Sequence, residues 1–284
     1  RYEASGEVPG FLIGQWAMSE HEGDLRVAST TNPWGWWSSA ESESELNVLR
    51  PDGEGKLESI GQVGGMGKTE TIRAVRFIGD MGYIVTFRQT DPLYVIDVSD
   101  PTAPVIDGEL KINGYSAYLH PVGEGLLMGV GQDATDEGRV LGTQISLFDV
   151  SDPADPQRIS QITIEDAWAE AEWDHHAFLW WNGLAVSPYQ VWSWDEKDET
   201  ETFDAGAIAV RVVDGELVDA GRIRNGLDGP VVFGDGEDDW PVDPWRAQIR
   251  RTIVIGDVLL TVGEGGIGVH DLESLENLDF ETWR

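Results

Sequence analysis

Three acidic side chains, Asp133, Asp136 and Glu137, fall within five residues of the stretch QDATDEG at 132–138. Closely spaced carboxylates are the hard oxygen ligands that Ca²⁺ takes, so these three are the candidate metal ligands of the chain. Their spacing is not that of an EF-hand loop, and a solvated acidic turn is the alternative. Asp174, His175 and His176 form a second cluster, of types that bind metals or move protons. Adjacent side chains on a strand point to opposite faces, so the two imidazoles are not expected to share one metal. One of them, like His120, is expected to hydrogen-bond within the core. The third set is aromatic: Trp34, Trp36, Trp37, Trp168, Trp173, Trp192, Trp194, Trp240 and Trp245, nine of the 13 tryptophans, sit among Glu41, Glu43, Asp195, Asp198 and Asp239 in Gly- and acid-rich stretches. An indole offers a broad flat face and one N–H donor. Beside carboxylates it suits sugars or cations, and anchoring of a loop is the competing role for any one of them.

Signatures of catalysis are otherwise missing. There is no Gly-x-Ser-x-Gly elbow, no His-Glu-x-x-His and no phosphate loop. GQVGGMGK at 61–68 is glycine-rich but lacks the Walker spacing, and it reads as a flexible loop between strands. The chain has no cysteine, which excludes disulfides, thiolate metal sites and a Cys nucleophile. Asp and Glu number 52 against 19 Lys and Arg, a net charge of −33. That balance disfavours nucleic acid, which requires a basic footprint, and adsorption to anionic membranes. It accords with cationic partners, divalent metals or high salt. Only four of the basic residues are Lys (Lys56, Lys68, Lys111 and Lys197). No apolar run approaches the ~18 residues of a spanning helix.

The elements that must position these residues are short strands. Apolar runs are interrupted by tight Gly, Asp and Asn turns: GDMG at 79–82, GEG at 123–125, NG at 182–183 and GD at 256–257. Such residues supply the positive φ of hairpin turns. Each hairpin is followed by a third strand (93–98, 145–150, 207–213, 267–272) and then by a fourth run such as 105–112 or 157–164. A first unit fits less well, with runs at 11–18, 25–29, 46–49 and 57–63. One segment is written twice, offset by 52 residues: YVIDVSDPTAPVIDGELKI at 94–112 and SLFDVSDPADPQRISQITI at 146–164. Asp97, Asp149 and Asp271 hold matching positions and read as acids that cap turns. Four strands per unit and a period near 50 residues, repeated about five times, predict an all-β protein: a β-propeller of four-stranded antiparallel blades, about five in this chain. A β-sandwich or β-helix is the rival architecture. Residues 1–5 either pair with the last unit, near 278–283, or belong to a blade further upstream.

The run from RAVRFIGDMGYIVTFRQTDPLYVIDVSDPTAP through QISLFDVSDPADP to DHHAF resembles the bacterial and archaeal secreted proteins that carry a C-terminal β-propeller distantly related to WD repeats. The opening GEVPGFLIGQWAMSEHEGDLRVASTT is similar to the start of that domain, so the resemblance covers roughly residues 5–190. It implies one β-propeller domain over 1–284, with further sequence upstream in family members. It also implies an exported, extracellular or cell-surface protein whose signal segment is absent from this chain. It implies no enzymatic activity.

In a four-stranded blade, the connections from strand two to three and from blade to blade emerge on one face. Here these are the long ones: 31–45, 131–143, 165–174, 190–206 and 225–248, with 61–72 intermediate. The opposite face carries only the short turns and the DVSDP linkers, and is the part least expected to bind anything. Loops on a rigid scaffold are where binding is usually found. The expectation is therefore a non-enzymatic binding module whose Trp- and acid-rich loop face takes a carbohydrate or a protein partner, with no cofactor unless Ca²⁺ sits on Asp133, Asp136 and Glu137. Two alternatives stay open: a glycoside hydrolase-like enzyme using axial carboxylates, and a structural surface or adhesion module.

Overall fold

The computed structural model describes residues 2–32, 41–88, 90–195, 200–225, 229–233 and 244–283. Among these the chain is almost entirely strand and turn, and the strands form five antiparallel sheets. The first holds β1 (Met18–His21), β2 (Asp24–Thr31), β3 (Glu43–Pro51) and β4 (Leu57–Met66). The second holds β5 (Thr71–Ile78), β6 (Met81–Phe87), β7 (Thr90–Asp97) and β8 (Val105–Asn113). The third holds β9 (Tyr115–Gly123), β10 (Leu126–Ala134), β11 (Val140–Asp149) and β12 (Gln157–Glu165). The fourth is enlarged, with β13 (Ala167–Ala169), β14 (Leu179–Trp181), β15 (Leu184–Asp195), β16 (Thr200–Val213), β17 (Glu216–Ile223) and β18 (Val231–Phe233). The last holds β19 (Ile249–Ile255), β20 (Val258–Gly263), β21 (Gly266–Asp271) and β22 (Asn277–Thr282). In four of the five, neighbours in the sheet are neighbours in the chain. No helix is long and apolar enough to cross a membrane among the described residues.

The chain divides into two compact units, one of Arg1–Gly129, Asp133–Val140 and Phe148–Arg158, the other of Val130–Gln132, Leu141–Leu147 and Ile159–Arg284. In the first unit, Leu46, Val48, Ile84 and Ile96 pack the first sheet on the second. Val85, Val95, Leu119, Leu127 and Phe148 do the same for the second and third. In the other unit, Val186, Ala207, Ala209, Ile249 and Leu259 join the fourth sheet to the fifth. Alternation along each strand supplies one apolar row per face, and face-to-face stacking buries both rows. Arg26 crosses a junction in the first unit with its guanidinium 4.7 Å over the Phe77 ring, donating to the Gly79 carbonyl at 2.6 Å. His120, expected in the core, is partly buried and hydrogen-bonded, its Nδ1 2.8 Å from the Tyr118 hydroxyl.

The repeated segment has a packing role. Asp97 and Asp149 accept the N–H groups of Ser99 at 2.7 Å and Ser151 at 2.9 Å, which closes each turn. The prolines behind them lie against glycines of the preceding sheet. A Cβ on Gly61 would fall 2.2 Å from the Pro101 carbonyl oxygen, and one on Gly108 at the same distance from that of Pro153. The second copy departs from the pattern: Ser160 stands where Gly108 stands in the first, and its hydroxyl accepts the Leu217 N–H at 3.0 Å. Asn182 and Gly183, at φ 46° and 81°, make the two-residue turn between β14 and β15.

Several expectations need correction. Residues 11–18 are not the first strand: Phe11 makes an isolated bridge to Thr30, and Gln15–Ala17 is a 3₁₀ turn. Ser5 pairs with Lys56 in the first sheet rather than with the last unit, whose fourth strand is β22. Gly61 to Met66 belong to β4 and are not a loop, because Gly61 must pass beneath Pro101. The long connections 131–143 and 190–206 are mostly continuations of β10, β11, β15 and β16. Their polar residues are compatible with a ladder that extends beyond the apolar core.

Candidate functional site

The fourth sheet and the turns beside it gather most of the described tryptophans, Trp16 and Trp283 lying elsewhere. Its first strand is split: β13 pairs with Ala167↔Val191 to Ala169↔Tyr189, and β14 with Leu179↔Val186 to Trp181↔Leu184. Two 3₁₀ turns, Glu170–Glu172 and His175–Ala177, occupy the gap. Trp168 on β13 and Trp173 after the first turn stack with ring centres 5.9 Å apart at 27°, and Trp173 is 57% exposed. On β15, Trp192 packs against Phe203 at 4.7 Å and against Trp245 at 5.7 Å. Trp194, two residues along the same strand and so on the same face, is 61% exposed. Trp245 stands on the 3₁₀ turn Pro244–Ala247 and is 45% exposed. Trp34, Trp36, Trp37 and Trp240 lie outside the described residues.

Trp245 borders an open recess of about 480 Å³ with Arg246, Gln248, Arg250 and Glu264. The Arg250 guanidinium is held at 2.7 Å from Glu170 and at 3.2 Å from Glu264. Gln248 is 5% exposed and donates its amide to the Gln190 side chain, while its own Oε1 has no hydrogen-bond partner. Deeper in the same unit, the Glu172 carboxyl accepts the Ala169 N–H at 2.9 Å and the Gln132 side-chain amide. Burial pushes that carboxyl up to about 7, against the two hydrogen bonds that favour its charged form. The recess therefore offers an aromatic wall and guanidinium donors, Arg250 held in place. A few placed polar groups beside an aromatic surface are what a small-molecule or sugar site presents.

Sequence reasoning singled out the tryptophans and missed the polar partners. Gln132, Gln190 and Glu264 each stand six residues after the start of the second strand of a unit, at Leu126, Leu184 and Val258. Gln132 and Gln190 reach residues far along the chain, Glu172 and Gln248, while Glu264 takes Arg250 across its own hairpin. A polar residue recurring at one blade position, at the end of an apolar run, was the available signal.

The acids read as metal ligands do not come together. Asp136 accepts the Asn113 amide at 2.7 Å, and no group of three or more His, Asp or Glu placed to hold a metal occurs among the described residues. His175 and His176 are not on a strand. Asp174 caps their 3₁₀ turn by accepting the His176 N–H at 3.1 Å, and its other oxygen takes Arg251 at 2.6 Å. His176 is exposed rather than in the core.

Consecutive antiparallel sheets built on four strands, the second and third closed by a turn against the sheet before, define the blades of a β-propeller. The chain belongs to the beta propeller domain family, whose sequence model matches residues 1–275. It is 43% identical over 176 residues to an uncharacterised protein of Methanocaldococcus jannaschii, and 44% identical over 177 residues to one of Archaeoglobus fulgidus. Each match covers 62% of this chain and 26% of the relative, so the chain matches about a quarter of the length of these proteins. Among solved structures, Sqt1 from Chaetomium thermophilum is similar over 93% of this chain and 71% of its own, at 11% identity and a TM-score of 0.43. The AfRom2 CNH domain is similar over 95% and 84%, at 10% identity and a TM-score of 0.36.

Proposed function

We propose that this β-propeller is a non-enzymatic, extracytoplasmic binding module and that its second unit takes a carbohydrate at the Trp245 recess. The observation that carries the reading is Trp245 itself, nearly half exposed yet braced from behind by Trp192 and Phe203. An indole held in place presents its face to a sugar ring without the entropy cost of ordering a mobile side chain. Around it, Arg250 supplies guanidinium donors suited to hydroxyl groups. Trp168, Trp173 and Trp194 extend the aromatic surface of the same sheet.

A glycan array probed with the purified chain tests the proposal. Binding to a defined glycan class is expected, and Trp245→Ala is expected to weaken it at least tenfold while far-UV circular dichroism stays unchanged. Arrays developed with Ca²⁺ and with a chelator establish whether Asp133, Asp136 and Glu137 take part. An array blank under both conditions overturns the carbohydrate assignment.

A further inference from the structure

The short turns, which the sequence marks as the least equipped to bind anything, enclose a recess of about 320 Å³ within the second unit. Its walls include Trp181 beside the β14–β15 turn, Arg211 on β16, Asp257 in the β19–β20 turn, Asp271 at the end of β21, and Leu272 and Glu273 after it. We propose that this recess binds a small zwitterion, a free α-amino acid with an apolar or aromatic side chain.

The charges in the recess are arranged but not paired off. Arg211 donates from Nη2 to the Glu273 carbonyl oxygen at 3.3 Å, which steers its guanidinium. Three carboxylates line the same recess, yet Arg211 makes no ion pair among the described residues. Asp271 is committed to its turn: its Oδ1 accepts the N–H groups of Glu273 and Ser274 at 3.1 and 2.8 Å and the Ser274 hydroxyl at 2.9 Å. Those bonds hold its carboxyl below the usual range, so it stays charged. The Leu272 N–H donates to the Asp257 carbonyl at 3.1 Å and ties the two turns together, so the acids stand on connected backbone.

This pattern discriminates among ligands. A plain cation meets the carboxylates but also the positive Arg211, and a plain anion meets Arg211 but also three negative groups. A zwitterion satisfies both, with its carboxylate on the guanidinium and its ammonium among the acids. Trp181, 45% exposed, and Leu272 then receive the side chain. The volume lies near the lower end of small-molecule sites, which run from about 300 to 1,000 Å³, and so fits a monomer rather than a polymer. The site shares no residue with the Trp245 recess and stands or falls independently of it.

Isothermal titration with L-phenylalanine, phenethylamine and 3-phenylpropanoate tests the assignment on the unaltered protein. L-Phenylalanine is expected to bind saturably, and each analogue, lacking one of the two charges, at least tenfold more weakly. Arg211→Gln is expected to abolish the preference for L-phenylalanine over phenethylamine. Absence of saturable binding by L-phenylalanine overturns the proposal, and so does an analogue that binds as tightly as the amino acid.

Discussion

At the scale of single residues, the buried Glu172 is a group whose ionisation costs the fold stability. It is an interior carboxyl lifted to about 7 by burial, against an ordinary value of 4.5. The folded state therefore holds its proton over a range in which the unfolded chain has lost it. The resulting stability is complete below pH 4.5 and is lost as the pH rises through 7, a change of about 3 kcal/mol. Glu172→Gln keeps an oxygen for the Ala169 N–H and removes the charge. It is expected to flatten the stability profile across that window and to stabilise the protein at pH 8 by up to about 3 kcal/mol, read by urea denaturation. His120 works in the opposite direction. Burial, with Arg76 nearby, lowers it from 6.5 to about 4, so stability falls as the pH drops through that interval. The turn acids Asp97, Asp149 and Asp271, held low by hydrogen bonds from the residues that follow them, add a loss at still lower pH.

At the scale of elements, the DVSDP turn is an inter-blade fastener built from two parts far apart in sequence: a proline carbonyl and a glycine with no side chain. Gly108→Val places a side chain where the Pro153 carbonyl already lies and is expected to destabilise the protein by about 1–3 kcal/mol. Ser160, at the same place in the next sheet, performs the job with a hydrogen bond, and Ser160→Ala is expected to cost about 1 kcal/mol. Thermal unfolding of both variants reads these losses, and a Gly108→Val protein as stable as the parent would remove the fastener from the account. The two fasteners meet the same need by different chemistry, which is why the repeat is legible twice and then stops. Of the split first strand of the fourth sheet, the apolar run before Asn182-Gly183 marks β14, but neither β13 nor the split itself leaves a mark in hydrophobic periodicity. Three-residue strands are too short to alternate recognisably, and their pairing is fixed by β15, a 12-residue partner.

At the scale of the whole molecule, charge dominates. A net charge of −33 is a self-repulsion that salt screens over about 10 Å at 0.1 M. Raising NaCl from 0.05 to 1 M is therefore expected to increase the melting temperature by several degrees, measured by differential scanning calorimetry. A melting temperature that falls or stays constant would show that the surface acids are already compensated within the fold. The same charge makes any site holding an arginine distinctive, and both recesses of the second unit hold at least one.

By itself the sequence determined most of the strands and their turns, the antiparallel unit of four and the capping role of Asp97, Asp149 and Asp271. Each of these depends on side-chain alternation or on hydrogen bonds spanning two or three residues. Only the tertiary structure decided that Gln132 meets Glu172, that Gln248 meets Gln190 and that Arg250 meets Glu170, across 40, 58 and 80 residues. It also decided that the short turns, one by one too small to bind anything, enclose the recess beside Arg211. Partners so distant in the chain are chosen by which strand packs on which, and no periodicity within a strand carries that information.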